Sequence, residues 1–99
     1  MSYPLRQEYL VSYDVEDNKV RKRIFDELGK HGLKPVQKSV FWGYLTLAEL
    51  EAVKRYLNAN LDKPDKVFIT HTNFNGRGQS YVIGHHKEDF RDWEENHVI

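Results

Sequence analysis

Apolar side chains occupy every odd-numbered position along residues 8–15 (EYLVSYDV), a segment rich in aromatic and β-branched types. This period of two predicts a β-strand whose odd positions, beginning with Tyr9, share one face. The even positions share the other face, and the last of them is Asp14. We therefore expect Asp14 to stand at the C-terminal end of the first strand.

A helical period follows this strand. Val20, Ile24 and Leu28 recur at a spacing of four residues, which places them on one face of a helix. The polar break before them ends in Asp17 and Asn18, and either side chain is suited to cap the first turn. The pattern predicts a first helix that ends near the glycine at position 32.

The second helix carries the clearest start signal in the chain. Thr46 is followed three residues later by Glu49, which is the spacing of a capping box. Apolar residues then mark one helical face. They are Leu47, Leu50, Val53, Leu57 and Leu61.

Three further segments are predicted to be extended. Residues 33–36 and 39–45 form a short hairpin, interrupted by Pro35, that is typical of a bulged or edge pairing. Residues 66–72 (KVFITHT) alternate as a fourth strand. The order is then β-α-β-β-α-β, which predicts an α+β, ferredoxin-like fold with two helices on one face of an antiparallel sheet.

The remaining residues predict a loop and a short added strand. Residues 73–79 (NFNGRGQ) are turn-forming, and residues 80–84 (SYVIG) suit a fifth strand. A small sheet leaves open edges, so we expect this strand to be exchanged in a homodimer, with Tyr81, Val82 and Ile83 at the interface.

The whole chain is predicted to be a single domain. Residues 1–99 contain a core over 8–72, and residues 73–99 contribute the loop, the edge strand and an acidic tail. A chain of this length encloses one modest core.

Composition narrows the class of protein. The absence of cysteine excludes disulfides and thiolate metal sites and suits a reducing compartment. No segment reaches the roughly 20 apolar residues of a membrane span, and the first residues lack the apolar core of a secretory signal. We expect a cytoplasmic protein with no membrane partner.

Charge is balanced overall but is unevenly distributed. The 15 Lys and Arg residues equal the 15 Asp and Glu residues. Residues 18–38 nevertheless hold seven cations against two anions, whereas residues 73–99 hold three cations against five anions. The first helix is the candidate surface for a polyanion.

Asp14 is the leading candidate for chemistry. A carboxylate at a strand end beside a cation-rich helix can hold a hard divalent ion at a phosphodiester. The competing interpretation is that Asp14 only caps the turn into the helix, and position alone favours it. A single carboxylate is a poor magnesium site, although a two-fold axis could supply a second.

The cations of the first helix have two interpretations as well. Lys19, Arg21, Lys22 and Arg23 fall in its first turns, where they can meet phosphate oxygens. They can equally form a solvated face paired with Asp26 and Glu27 along the helix.

The hairpin segment combines polar and aromatic side chains. Gln37 and Ser39 are placed to contact a sugar-phosphate chain. The aromatic residues Phe41, Trp42 and Tyr44 can contact such a chain as well, or can pack at a dimer interface. Packing is the expected role of the aromatic residues.

Taken together, YLVSYDV, the basic RKRIFDELGKHG helix, VQKSVFWGYL and DKVFIT resemble the CRISPR-associated protein two family. The resemblance covers roughly residues 8–72 in order and spacing. It rests on the joint occurrence of the strand-end Tyr-Asp pair with Gln-x-Ser-Val-Phe. Trp42 departs from the acidic residue that many members have after Val-Phe.

The resemblance implies a small ferredoxin-like homodimer that acts as a metal-dependent endonuclease on RNA or double-stranded DNA. It assigns Asp14 as the ligand of Mg²⁺, or of Mn²⁺ in its place, and as the catalytic carboxylate. It places nucleic-acid contacts at Arg21 and Arg23 and extends the family motif over Gln37 and Ser39. It also implies a CRISPR integrase subunit as partner in spacer acquisition and antiviral defence.

Two other functions remain open at this point. The dimer can act as a non-catalytic scaffold that grips DNA through its basic helices and bridges integrase subunits, with Asp14 inert. A free-standing ribonuclease on the same fold is a more remote alternative.

Overall fold

The computed structural model describes residues 5–74 and 80–90. Within them, strands and helices follow the predicted order and lead into a short 3₁₀ helix. The elements are β1 (Arg6–Asp14), α1 (Asn18–Lys30), β2 (Lys34–Gln37), β3 (Val40–Thr46), α2 (Leu47–Asn60), β4 (Lys66–His71) and the 3₁₀ helix (Lys87–Phe90).

The strands form one antiparallel sheet in the order β2-β3-β1-β4. β1 lies between β3 and β4, and β2 forms an edge on β3. This is the ferredoxin-like arrangement, so the predicted α+β fold class is confirmed. The β2–β3 register shifts between Pro35 and Gln37, which agrees with the expected irregular hairpin.

The core lies between the sheet and the two helices. Val11 and Tyr13 of β1 are buried there in one cluster with Ile24 of α1 and Val53 of α2. The period-two pattern of β1 therefore assigned the buried face correctly. Phe41 of β3 joins the same cluster.

Both helices begin at the predicted caps. Asp17 caps α1, and Thr46 and Glu49 form the capping box of α2 with hydrogen bonds of 3.1 and 2.8 Å. α1 ends at Lys30 with His31 as its C-cap, and the next residue, Gly32, has a φ of 84° that is easily reached only by glycine. The assignment of Leu47 to the buried stripe of α2 is wrong, because this first helical residue is exposed.

The opposite face of the sheet is covered in part by the chain that follows β4. Phe90 is buried there, with its ring 5.5 Å from Trp42 and 4.8 Å from Phe74. The aromatic residue that begins the acidic tail is thus packed on its own sheet. Residues 91–99, the rest of that tail, lie outside the described residues.

Residues 80–84 pair with none of the strands in the described part of the chain. Tyr81 and Ile83 are 85% and 93% exposed. Exchange of this segment requires a second chain, so it stays a prediction. Residues 75–79, most of the predicted loop, lie outside the described residues.

None of the helices in the described part of the chain is both long and apolar enough to cross a bilayer.

Candidate functional site

Asp14 is the last residue of β1 and is exposed. Its backbone lies opposite Lys66 at the start of β4. Among residues 5–74 and 80–90, no hydrogen bond or ion pair to the Asp14 carboxylate is found. The carboxylate is therefore open to an external ligand.

The turn into α1 is capped by Asp17. The Oδ1 atom of Asp17 accepts hydrogen bonds from the backbone N–H groups of Lys19 at 2.8 Å and Val20 at 3.0 Å. These two hydrogen bonds lower the pKa of the Asp17 carboxyl below its usual value, and the bond from Val20 has the larger effect. The structural role considered for Asp14 thus belongs to its neighbour three residues later.

Arg21 is committed to the turn between β1 and α1. Its guanidinium donates to the carbonyl oxygen of Val15 at 2.8 Å and, more weakly at 3.4 Å, to that of Glu16. It also donates to the side-chain oxygen of Asn18. Arg21 consequently holds a positive charge at a fixed place, and fewer of its donors are left for a phosphate.

The other cations predicted on α1 are solvent-exposed. Lys22 forms an ion pair with Asp26 at 3.3 Å, with both side chains largely in water. Such exposed pairs are weak and exchange readily for other partners. Lys19 and Arg23 are likewise exposed and can contribute charge at longer range.

The structure brings four of the predicted nucleic-acid-binding residues to one cleft. Arg21 and Lys22 of α1 line one side, and Gln37 and Ser39 of the β2–β3 hairpin line the other. The cleft has a volume of about 570 Å³. Lys19, Arg23 and Asp14 are not among its lining residues.

Backbone contacts join this cleft to the end of β1. The N–H of Tyr13 donates to the carbonyl of Ser39 at 3.0 Å, which places the hairpin turn beside the residue before Asp14. Ser39 has a φ of 63°, a left-handed conformation that a tight turn imposes on it. Gln37 faces the C-terminal segment, since its Oε1 lies 3.2 Å from Nε2 of His85.

Tyr13 is a cleft residue that the sequence pattern did not identify. Alternation placed it in the core, and it is indeed buried, yet it also lines the cleft. Burial raises the pKa of its phenol, and the opposing charge of Arg21 only partly offsets this effect. The phenol therefore remains protonated near neutral pH.

A buried carboxylate on the other face of the sheet was missed as well. Glu8 accepts hydrogen bonds from Nε1 of Trp42 at 2.8 Å, from Oγ1 of Thr72 at 2.8 Å and from the N–H of Phe74 at 2.7 Å. The hydroxyl of Tyr44 donates to it at 3.4 Å. The sequence indicates Glu8 only as a charged residue within a strand, on the face that does not contact the helices.

A complete metal-binding cluster is not formed by the described part of the chain. No group of three or more His, Asp or Glu side chains is placed to hold an ion. Asp14 fits a hard cation as an open oxygen donor, but one carboxylate leaves most positions of a magnesium ion to other ligands. Phosphates, waters and a second carboxylate would have to complete the site.

Comparisons with known proteins identify the family. The family described as CRISPR associated protein Cas2 matches residues 7–78. A protein of Francisella tularensis subsp. novicida named CRISPR-associated endoribonuclease Cas2 1 is 50% identical over 91 residues, which cover 92% of this chain and 94% of that protein. A Desulforudis audaxviator protein named CRISPR-associated endoribonuclease Cas2 is 46% identical over 37 residues, 37% of this chain and 35% of its own length.

Two solved structures are similar to this chain in fold. A hypothetical protein of Thermus thermophilus superposes with a TM-score of 0.69 at 32% identity, covering 80% of this chain and 92% of that one. A crystal structure titled cas2 superposes with a TM-score of 0.62 at 27% identity, covering 80% and 97%. The sequence motifs, the sheet order and these likenesses lead to one conclusion: the chain belongs to the CRISPR-associated Cas2 family.

Proposed function

We propose that this chain is a metal-dependent endonuclease that hydrolyses phosphodiester bonds in RNA, with Asp14 as the metal ligand. The name of the Francisella relative, an endoribonuclease 50% identical to this chain, supports the choice of RNA. Double-stranded DNA remains a second substrate to be tested.

One observation carries the role of Asp14. Asp17 caps α1, so the exposed carboxylate of Asp14 is not needed by the turn that follows it. A carboxylate that ends a strand without a structural partner in the described chain is available for a cation. Mg²⁺, or Mn²⁺, would supply charge neutralisation at the phosphate and a bound water of lowered pKa.

The surrounding residues bind and orient the strand. Lys22 and Lys19 are exposed cations near the start of α1, where they attract phosphates by charge. Arg21 adds a fixed positive charge, because its guanidinium is held by the carbonyl of Val15. These groups position a phosphodiester beside the end of β1, where Asp14 stands.

A homodimer is part of this proposal. A two-fold axis that brought both Asp14 carboxylates together would give the ion a second protein ligand. The exposed segment with Tyr81, Val82 and Ile83 is the surface that a partner copy would cover. Family membership supports an assembly with a CRISPR integrase subunit in the cytoplasm, acting in spacer acquisition.

The alternative is a non-catalytic scaffold that binds DNA. The feature that favours it is the set of exposed cations on α1, Lys19, Lys22 and Arg23, which can contact phosphates without a metal. Under this alternative, Asp14 has no chemical role.

The deciding experiment compares Asp14→Asn with Asp17→Asn on single-stranded RNA and duplex DNA, in Mg²⁺, in Mn²⁺ and in EDTA. Asp14→Asn should lower the cleavage rate by about 10²-fold or more, since the ion loses its protein ligand. Asp17→Asn removes a carboxylate from the same turn but keeps a capping side chain, so its rate should match that of wild type.

Equal rates for wild type and Asp14→Asn would reject the nuclease proposal and support the scaffold. Cleavage that persists in EDTA in both proteins would identify a contaminating nuclease, which a repeat purification through a different column order would remove.

A further inference from the structure

We propose that the cleft between α1 and the β2–β3 hairpin receives one unpaired nucleobase of a bound strand. This inference deepens the proposed function and rests on the part of it that has the chain bind nucleic acid. It names a subsite for a base, where the function above requires only contacts to phosphate.

Phe25 provides the apolar wall of this subsite. The neighbouring apolar residues of α1, Ile24 and Leu28, are fully buried, whereas Phe25 is 46% exposed and lines the cleft. Its ring is held edge-on to Phe41, with centroids 5.1 Å apart. A large aromatic side chain is thus fixed at the surface without filling the core.

The cleft has the size and lining of a small-molecule site. Its volume of about 570 Å³ falls in the range of roughly 300–1,000 Å³ that is usual for such sites. Pro35 and Val36 extend the apolar surface beside Phe25. An apolar floor of this size suits the flat face of a base.

The rim of the cleft is cationic. Arg21, Lys22 and Lys38 line it, and no carboxylate of residues 5–74 or 80–90 does. The ion pair of Lys22 with Asp26 is exposed on both sides, so a phosphate can replace the carboxylate at little cost. The rim therefore suits the phosphates on either side of a base whose ring lies on the floor.

Hydrogen-bonding groups stand between the floor and the rim. The phenol of Tyr13 can donate near neutral pH, since tyrosine has an ordinary pKa of about 10 and burial raises the pKa of this phenol further. Ser39 lies beside it, since the N–H of Tyr13 donates to the carbonyl oxygen of Ser39, and both residues line the cleft. A polar base edge has partners here that an aliphatic ligand would leave unused.

This combination favours an unpaired strand over a duplex. Proteins that bind single strands join a cationic groove to aromatic side chains on which bases stack, and each stack is worth roughly five- to 150-fold in affinity. A base inside a duplex is already stacked and paired, so it cannot enter the cleft without leaving the helix.

The test is fluorescence anisotropy in EDTA, where metal-dependent cleavage is absent. The probes are a labelled single-stranded octanucleotide of mixed sequence, the same backbone with abasic sites at every position, and the corresponding duplex. Wild type should bind the intact strand about tenfold more tightly than the abasic strand.

Phe25→Leu should lose about tenfold in affinity for the intact strand and should bind the abasic strand and the duplex as wild type does. The matched control is Phe68→Leu, which changes an aromatic residue that is 57% exposed on β4 and does not line this cleft. Its affinities should be those of wild type for all three probes.

Phe25→Trp is a second variant that tests the proposal even if the leucine variant fails to fold. It keeps an aromatic ring, so its affinity should stay within about threefold of wild type, and the added tryptophan emission should be quenched by the intact strand but not by the abasic strand. Its thermal unfolding midpoint shows whether the domain is folded.

Equal binding of intact and abasic strands by wild type would overturn the proposal and leave a cleft that holds phosphate alone. Unchanged binding of the intact strand by Phe25→Leu would overturn it too, since another surface would then bind the base. Neither result touches the nuclease proposal, which stands or falls on Asp14→Asn in the presence of metal.

Discussion

Glu8 shows how much one side chain contributes to the open face of the sheet. It belongs to β1, yet it accepts hydrogen bonds from Trp42 on β3 and from Thr72 and Phe74 after β4. The carboxylate thereby holds the chain that leaves β4 against the sheet. Phe90 packs on the same aromatic residues, so Glu8 also supports the C-terminal segment.

Glu8→Ala should lower the free energy of unfolding by about 3 kcal/mol, because each buried donor left without an acceptor costs roughly 1–3 kcal/mol. Urea denaturation followed by tryptophan fluorescence measures this change. The control is Glu16→Ala, whose side chain is exposed and whose loss should change stability by no more than about 0.5 kcal/mol. Similar losses in both variants would mean that the Glu8 network adds nothing specific.

At the scale of elements, two glycines in regular structure differ in the space that is available for a side chain. Gly43 lies in β3, where an added Cβ would come 2.8 Å from the Leu33 side chain and 3.2 Å from its Cα. Gly29 lies near the end of α1, where an added Cβ would meet nothing within 4 Å. β3 therefore needs its glycine for close packing, and α1 does not.

The same substitution should have opposite effects at these two sites. Gly43→Ala should destabilise the domain by about 1–3 kcal/mol through overpacking, and Gly29→Ala should stabilise it by about 0.5 kcal/mol through helix propensity. Thermal unfolding of both variants measures the two signs. A neutral Gly43→Ala would show that Leu33 moves aside easily.

At the scale of the whole molecule, the C-terminal segment exposes large apolar side chains to water. Tyr81 and Ile83 project into solvent on a chain of 99 residues. A small domain gains much from covering such a surface with a second copy.

Ile83→Asp should weaken self-association by about a hundredfold or more, since a buried unpaired carboxylate costs several kcal/mol. Analytical ultracentrifugation across a concentration series measures the dissociation constant. Leu47→Asp is the control, because Leu47 is also exposed and an acidic residue is favourable in the first turn of α2. A wild-type chain that sediments as a monomer at micromolar concentration would exclude the predicted homodimer.

Much of the fold could be predicted because its determinants are local. These determinants act over one or two helical turns or strand repeats. They are the period-two pattern of β1, the four-residue spacing of Val20, Ile24 and Leu28, and the capping box at Thr46. Leu47 was misplaced because apolar spacing takes no account of the exposed first position of a helix. The unpaired state of residues 80–84 in one chain is a matter of tertiary contacts that no local pattern encodes.

The candidate site was predicted less completely, for the same reason. Arg21, Lys22, Gln37 and Ser39 were named from the sequence, and the fold brings them to one cleft. The position of Phe25 beside Phe41 and the buried position of Glu8 depend on segments far apart in the chain. The contacts of Arg21 with the carbonyls of Val15 and Glu16 are local, but neither alternation nor helical spacing predicts them. Residues that meet only after folding leave no periodic signal.

By itself, the sequence determined the order of strands and helices, the buried face of β1 and the position of Asp14 at the end of that strand, because alternation and capping are properties of neighbouring residues. Only the tertiary structure decided that Glu8 is buried and bonded to Trp42, Thr72 and Phe74. Only it placed α1 beside the hairpin to form a cleft with Phe25 in its wall. Hydrogen-bond partners and burial depend on which distant residues become neighbours in the sheet, and these neighbours meet only when the chain folds.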